Sequence, residues 1–146
     1  MDSLLSLFSA AARGDVYRSK LPADEITAAA KTAGLLVFKI DAGKARGKND
    51  LLNLLAKTLR FPDSFGKNWD APHDSLTDLS WLRGKGWVLI LTNGDVLARN
   101  HEDVFNAAVD VFSAAAESWR KQRKPFWVLI EGQAEWKPNL PEIIAD

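Results

Sequence analysis

A chain of 146 residues, 47% hydrophobic and 26% charged, is sized for one compact domain with a substantial core and has an ordinary globular make-up. Its 19 basic and 19 acidic side chains cancel, so no global field draws it to nucleic acid or to a membrane, and electrostatic recognition must come from local clustering. Cysteine is absent, which excludes disulfides and thiolate metal sites and fits a reducing, cytoplasmic setting.

In chain order, the first twelve residues are apolar but carry Asp2 instead of a cationic leader and are interrupted by serines. They read as an amphipathic helix over residues 3–12, not as a signal peptide. No apolar run approaches the ~20 residues needed to cross a bilayer. A second helix is expected over residues 22–32, with Pro22 suited to a first helical position and Gly34 ending the unit. Leu35-Leu36-Val37-Phe38-Lys39-Ile40 is short and almost continuously apolar, the pattern of a buried strand. A basic, glycine-rich loop over residues 41–48 follows. Asn49 or Asp50 then caps a helix carrying Leu51, Leu52, Leu54, Leu55 and Leu59, which Pro62 stops.

After a further helix, Trp87-Val88-Leu89-Ile90-Leu91 predicts a second buried strand. A long helix is predicted over residues 102–123, with Glu102 and Asp103 at its start and Arg120, Lys121, Arg123 and Lys124 at its end, complementing the dipole at both termini. Its face of Val104, Phe105, Ala108, Val111, Phe112, Ala115 and Trp119 suits packing on a sheet. Pro125 stops it, and Phe126-Trp127-Val128-Leu129-Ile130 makes a third strand. This order calls for an α/β fold, a small three-stranded parallel sheet covered by helices. Residues 1–33 are expected as an N-terminal helical extension packed on a domain of residues 34–131, with 132–146 as an irregular surface tail around Pro138 and Pro141.

The segment between the first two strands carries the unusual charge pattern. Asp70, Asp74 and Asp78 are four residues apart, so on a helix they share one side, opposite Trp69, Pro72, Leu76 and Leu79. Like charges at this spacing cost a helix roughly 0.2–0.5 kcal/mol per pair, and an anion near a helix C-terminus is disfavoured by the dipole. A charged outer face is ordinary for an amphipathic helix, and Asp70 has a local use as an N-cap. Capping does not account for Asp74 or Asp78, so a cationic partner is the functional reading of this stripe.

The chain offers little for catalysis. Its two histidines, His73 and His101, stand in separate segments without metal-ligand spacing. No serine elbow, cysteine nucleophile or dinucleotide fingerprint appears. Gly43-Lys44-Ala45-Arg46-Gly47-Lys48-Asn49 looks superficially like a phosphate loop, but it has three intervening residues where four are required and Asn49 in place of the metal-binding hydroxyl. Carboxylates on one convex helix face do not oppose each other across a cleft, as acid–base pairs must. No catalytic residue, metal or cofactor is assigned.

The run Phe61-Pro62-Asp63-Ser64-Phe65-Gly66-Lys67-Asn68-Trp69-Asp70-Ala71-Pro72-His73-Asp74-Ser75-Leu76-Thr77 resembles the signature of the barstar family of ribonuclease inhibitors. A proline closes one helix, an aromatic-Gly-x-Asn-x-Asp-Ala stretch leads into the next, and a second aspartate four residues on precedes Leu-Thr. The predicted elements over residues 35–130 are also similar to that fold. The resemblance implies a non-enzymatic cytoplasmic inhibitor whose second helix and preceding loop plug the active site of a basic, barnase-like ribonuclease. Asp74 would sit deepest among the enzyme's phosphate-binding cations, with Asp70 one turn earlier. Asn68, Trp69, His73 and Thr77 would surround them, Gly66 would let the loop approach closely, Ser64 would lie in that loop, and Asp78 would extend the acidic face. Carboxylates on a rigid helix imitate RNA phosphates and pair with arginine and lysine through charge-assisted hydrogen bonds. The sequence departs from the family at Ser64 and His73, where aromatics are common, at Pro72 inside the helix start, and at Leu79, where a tryptophan is familiar. Ser113-Ala114-Ala115-Ala116 also lacks an acidic residue found in some members. Three other readings are an immunity or regulatory protein for a non-ribonuclease toxin, a structural module using residues 1–33, and an enzyme with an atypical site.

Overall fold

The structure, a computed structural model, describes Phe8, Ala10, residues 13–60, Leu76 and residues 85–143. Four strands form its sheet: β1 (Val16–Ser19), β2 (Leu36–Asp41), β3 (Trp87–Thr92) and β4 (Phe126–Glu131). All neighbouring pairs are parallel, in the spatial order β1-β4-β3-β2. The helices with described bounds are α1 (Ala23–Thr32), α2 (Lys48–Leu59), α3 (Gly94–Asn100) and α4 (Glu102–Lys121).

The three apolar runs form the three expected strands. In β3 and β4 every residue but the last is buried, as a parallel sheet covered on both faces requires. Alternation divides them between two cores. Leu89, Leu91, Val128 and Ile130 join Leu51, Leu55, Phe105, Ala108, Phe112 and Ala115 of α2 and α4 on one face. Val88, Ile90, Trp127 and Leu129 join Phe8, Ile26 and Ala30 on the other. The leucines of α2 and the face expected for α4 pack accordingly, with Val104 and Val111 half-buried at the margin.

The expectation of three strands is corrected to four, because Val16-Tyr17-Arg18-Ser19 pairs with β4, from Val16 opposite Val128 to Ser19 opposite Glu131. This strand is four residues long and carries an arginine at its centre, so it shows no apolar run or alternation. Helix α3 is also additional; at seven residues it is too short for a hydrophobic period to register. Of the helix expected over residues 3–12, Phe8 is helical and buried, edge-on to Trp127 with ring centroids 5.2 Å apart; most of that segment lies outside the described residues.

Ends of elements follow local chemistry. Gly34 takes φ +85° after α1, a left-handed conformation with little cost to glycine. Helix α2 starts after Gly47, and Asp50 accepts the Arg46 N–H at 3.0 Å, satisfying an amide at the helix start. Helix α4 closes at Lys121, where Arg123 adopts φ +61° and donates to Arg120 O while Lys124 N–H reaches back to Trp119 O, each at 3.0 Å. That pair of bonds is a Schellman closure. Residues 132–143, after β4, form no further helix or strand and run back along β1. Arg18 N–H donates to Pro141 O at 2.8 Å, Ile143 N–H donates to Arg18 O at 2.9 Å, and Ile143 is buried.

Candidate functional site

The residues read from the sequence as a partner-binding face, Ser64, Gly66, Asn68, Trp69, Asp70, His73, Asp74, Thr77 and Asp78, lie outside the described residues. Leu76, between Asp74 and Asp78 in the chain, is described: it is helical and fully buried. Its surroundings define how the aspartate segment is attached to the domain.

Leu76 belongs to the same apolar cluster as Leu59, Trp87, Phe112 and Trp119. Helix α2 ends just before this segment, with Arg60 in the left-handed region at φ +56° and its N–H on Ala56 O. Across the cluster, the Trp119 indole N–H donates to the Leu76 carbonyl at 2.7 Å, a buried bond joining residues 43 apart. The Trp119 ring lies 4.6 Å from that of Trp87, and the Lys124 ammonium lies 5.8 Å from the Trp87 centroid and 6.0 Å from that of Trp119. The sequence marked Trp119 as a packing residue only. A signal was available, since a buried indole carries one N–H that needs an acceptor.

The opposite end of the sheet holds a second polar cluster that sequence reasoning missed. Arg18 is 2% exposed, and its guanidinium donates to the carbonyls of Ser19, Gly132 and Gln133, the last at 2.6 Å. Trp136 lies over it at 5.2 Å. Asp95, also buried, accepts the Gln133 N–H at 3.1 Å. Beside them is a cleft of about 400 Å³ lined by Asp95, Arg99, Glu102, Glu135 and Trp136 among others. Ligands of parallel sheets commonly sit at this carboxyl end of the strands. Here the charged groups Arg18 and Asp95 are engaged in holding the chain after β4.

The loop after β2 is likewise occupied by its own bonds. Asp41 Oδ1 accepts Gly43 N–H at 3.0 Å and Asn93 Nδ2–H at 2.9 Å, so a carboxylate stands where a phosphate cradle would need a free amide. Burial pushes the Tyr17 phenol above its usual value, with Asp15 adding to the effect and Arg13 and Arg120 opposing it. Burial also raises the Glu131 carboxyl, with Lys39 and Arg18 opposing and Asp24 adding. Both shifts come chiefly from desolvation, not from a paired acid and base. Among the described residues no three His, Cys, Asp or Glu side chains group as metal ligands, and no helix is long and apolar enough to cross a membrane.

The family model described as Barstar (barnase inhibitor) matches residues 35–131. No curated protein matches the chain. Among solved structures it is similar to the ORC2 protein of Aeropyrum pernix, described as ADPNP-ADP complexes, with a TM-score of 0.52 and 17% identity. That match covers 90% of this chain and 38% of the other. At this identity the likeness concerns the fold alone.

Proposed function

The chain belongs to the barstar family, and from that premise we propose that it blocks the active site of a basic ribonuclease with the aspartate segment around Leu76. The observation that carries the reading is the family match over residues 35–131, which contains the whole run from Phe61 to Thr77. The family is one of inhibitors, which act by binding and not by turnover.

The attachment of Leu76 supports the choice of face. A helix advancing about 100° per residue places positions two before and two after a buried residue roughly 200° away from it. With the segment helical on both sides of Leu76, as proposed, that period would set Asp74 and Asp78 away from the core, where carboxylates can meet a partner. Asp74 is the proposed central contact, Asp70 and Asp78 extend the acidic face, and Ser64, Gly66, Asn68, Trp69, His73 and Thr77 form the surround. Although the chain is neutral overall, three carboxylates on one face give the local field that steers a cationic partner.

Titration of barnase activity with the purified protein tests the proposal. The expected result is stoichiometric inhibition that weakens as salt rises. Asp74→Ala is expected to weaken binding by at least about 30-fold, the lower end for a desolvated charge pair that loses one partner. Unchanged affinity in an Asp70→Ala, Asp74→Ala double variant would remove this face from the interface.

A further inference from the structure

We propose that Trp119 is the positioning residue of the aspartate helix, its indole N–H fixing the rotation and height of that helix at Leu76. The inference rests on the inhibitory reading of the segment, but its physical basis is separate. Among the described residues three indoles are buried, and they are not equivalent. The Nε1 atoms of Trp87 and Trp127 have no hydrogen-bond partner, whereas Trp119 Nε1 spans 43 residues to reach Leu76 O at 2.7 Å. An apolar contact such as that of the Leu76 side chain is non-directional and tolerates sliding or rolling. A 2.7 Å bond to one carbonyl does not, because its strength falls steeply with distance and angle.

Trp119 is itself held from three directions. Its carbonyl accepts the Lys124 N–H in the closure of α4, the Lys124 ammonium returns over its ring, and Trp87 packs against it. The donor therefore belongs to the rigid end of a 20-residue helix anchored on the sheet. A carbonyl oxygen has two lone pairs, so Leu76 can receive the indole proton without surrendering a helical bond. Leu76 lies two residues from both Asp74 and Asp78. On the proposed helical reading, a fixed Leu76 carbonyl would limit where those carboxylates can stand, and a charged hydrogen bond to a partner requires placement within a few tenths of an ångström. Losing the bond lowers the fraction of molecules with the helix in register, and apparent affinity falls by that fraction.

The experiment replaces Trp119 by Phe and, separately, by 3-benzothienylalanine, which keeps the bicyclic ring and lacks the N–H. Phe112→Leu serves as the control: Phe112 is fully buried on the same helix and in the same cluster, but it carries no hydrogen-bonding group. Hydrogen exchange in the free protein and dissociation from barnase are both measured. The benzothienyl protein is expected to exchange about tenfold faster over residues 70–80, with β4 unchanged, and to leave barnase about tenfold faster. That loss of affinity is expected to shrink in an Asp74→Ala background, since both changes act through one contact. Phe112→Leu is expected to raise exchange in α4 and β4 but not over residues 70–80, and to leave dissociation unchanged. Exchange over residues 70–80 like that of the unmodified protein would overturn the proposal. If the unmodified protein does not bind barnase, the ribonuclease reading fails on that arm, while the exchange arm still decides whether Trp119 positions the helix.

Discussion

Strands β4 and β1 lie side by side in one parallel sheet, yet they are held by different physics. In β4, Phe126 through Ile130 are buried and apolar, feeding cores on both faces. In β1 the polar residues Arg18 and Ser19, at 2% and 1% exposure, are at least as buried as Val16 at 2%. Burial of the apolar side chains of β4 is driven by the removal of hydrocarbon from water, which is favourable without direction. Burial of Arg18 calls for directed bonds, and the chain after β4 supplies the carbonyls of Gly132 and Gln133 for its terminal guanidinium nitrogens and that of Pro141 for its backbone N–H, while Nε is buried without a partner. Burial alone therefore does not say how a strand is held, and the two strands should respond to substitution in different ways.

The largest effect is expected at the apolar strand. Trp127 is fully buried, edge-on to Phe8 and stacked 5.4 Å from Tyr17. Trp127→Ala is expected to cost about 3–5 kcal/mol, a large part of the stability of a domain this size, visible as a lower urea midpoint. Trp127→Phe should be much milder, because the buried N–H it removes has no partner in the folded protein. Trp119→Phe removes an N–H that does have one, so it should cost more than Trp127→Phe at similar lost volume. Equal losses at the two positions would mean that indole bonding makes no difference in these cores.

Breaking the polar strand should cost less and act locally. Arg18→Ala takes the guanidinium from the Gly132 carbonyl, leaves the Gln133 carbonyl with the Trp136 N–H alone, and removes the cation over the Trp136 ring. The expected cost is about 1–3 kcal/mol, with hydrogen exchange and protease cleavage rising first over residues 132–143. Arg18→Lys should recover little, since an ammonium cannot span diverging carbonyls as a planar guanidinium does. Binding through the proposed aspartate face should persist, because Trp119 packs against Trp87 at the start of β3 while Arg18 works near the ends of β1 and β4. Loss of binding in Arg18→Ala would show that the two ends are coupled.

The same contrast explains how far the sequence could be read. Continuous apolar runs of five or six residues disclosed β2, β3 and β4, and the 3.6-residue period disclosed α2 and α4, because each pattern reports burial of hydrocarbon. β1 escaped because its stability resides in polar bonds to a segment more than 110 residues away, which no local window contains. The acidic stripe at Asp70, Asp74 and Asp78 was legible because a regular spacing of like charges opposes helix stability. The residue proposed to position this segment was not legible as such. In the sequence Trp119 is one apolar position in a helical face, and only folding brings its N–H to the Leu76 carbonyl.

The smallest effect sharpens the boundary between the two strands, at Glu131, where β4 ends opposite Ser19. Its Oε2 is buried without a hydrogen-bond partner, and desolvation raises its pKa above the ordinary 4.5, more than the nearby Lys39 and Arg18 lower it. A carboxyl with a raised folded pKa binds its proton more tightly in the folded than in the unfolded chain. Its contribution is therefore fully present below the unfolded value and is lost as pH rises through the folded one. At neutral pH the ionised group opposes folding, screened by its partial exposure. Glu131→Gln is expected to raise the melting temperature at pH 7 by no more than about 2 °C, and the advantage should vanish at pH 4 and below. An advantage that is the same at both pH values would assign the effect to packing of the amide. A loss at pH 7 would mean that attraction to Lys39 and Arg18 outweighs desolvation, making the end of β4 as dependent on charge as β1.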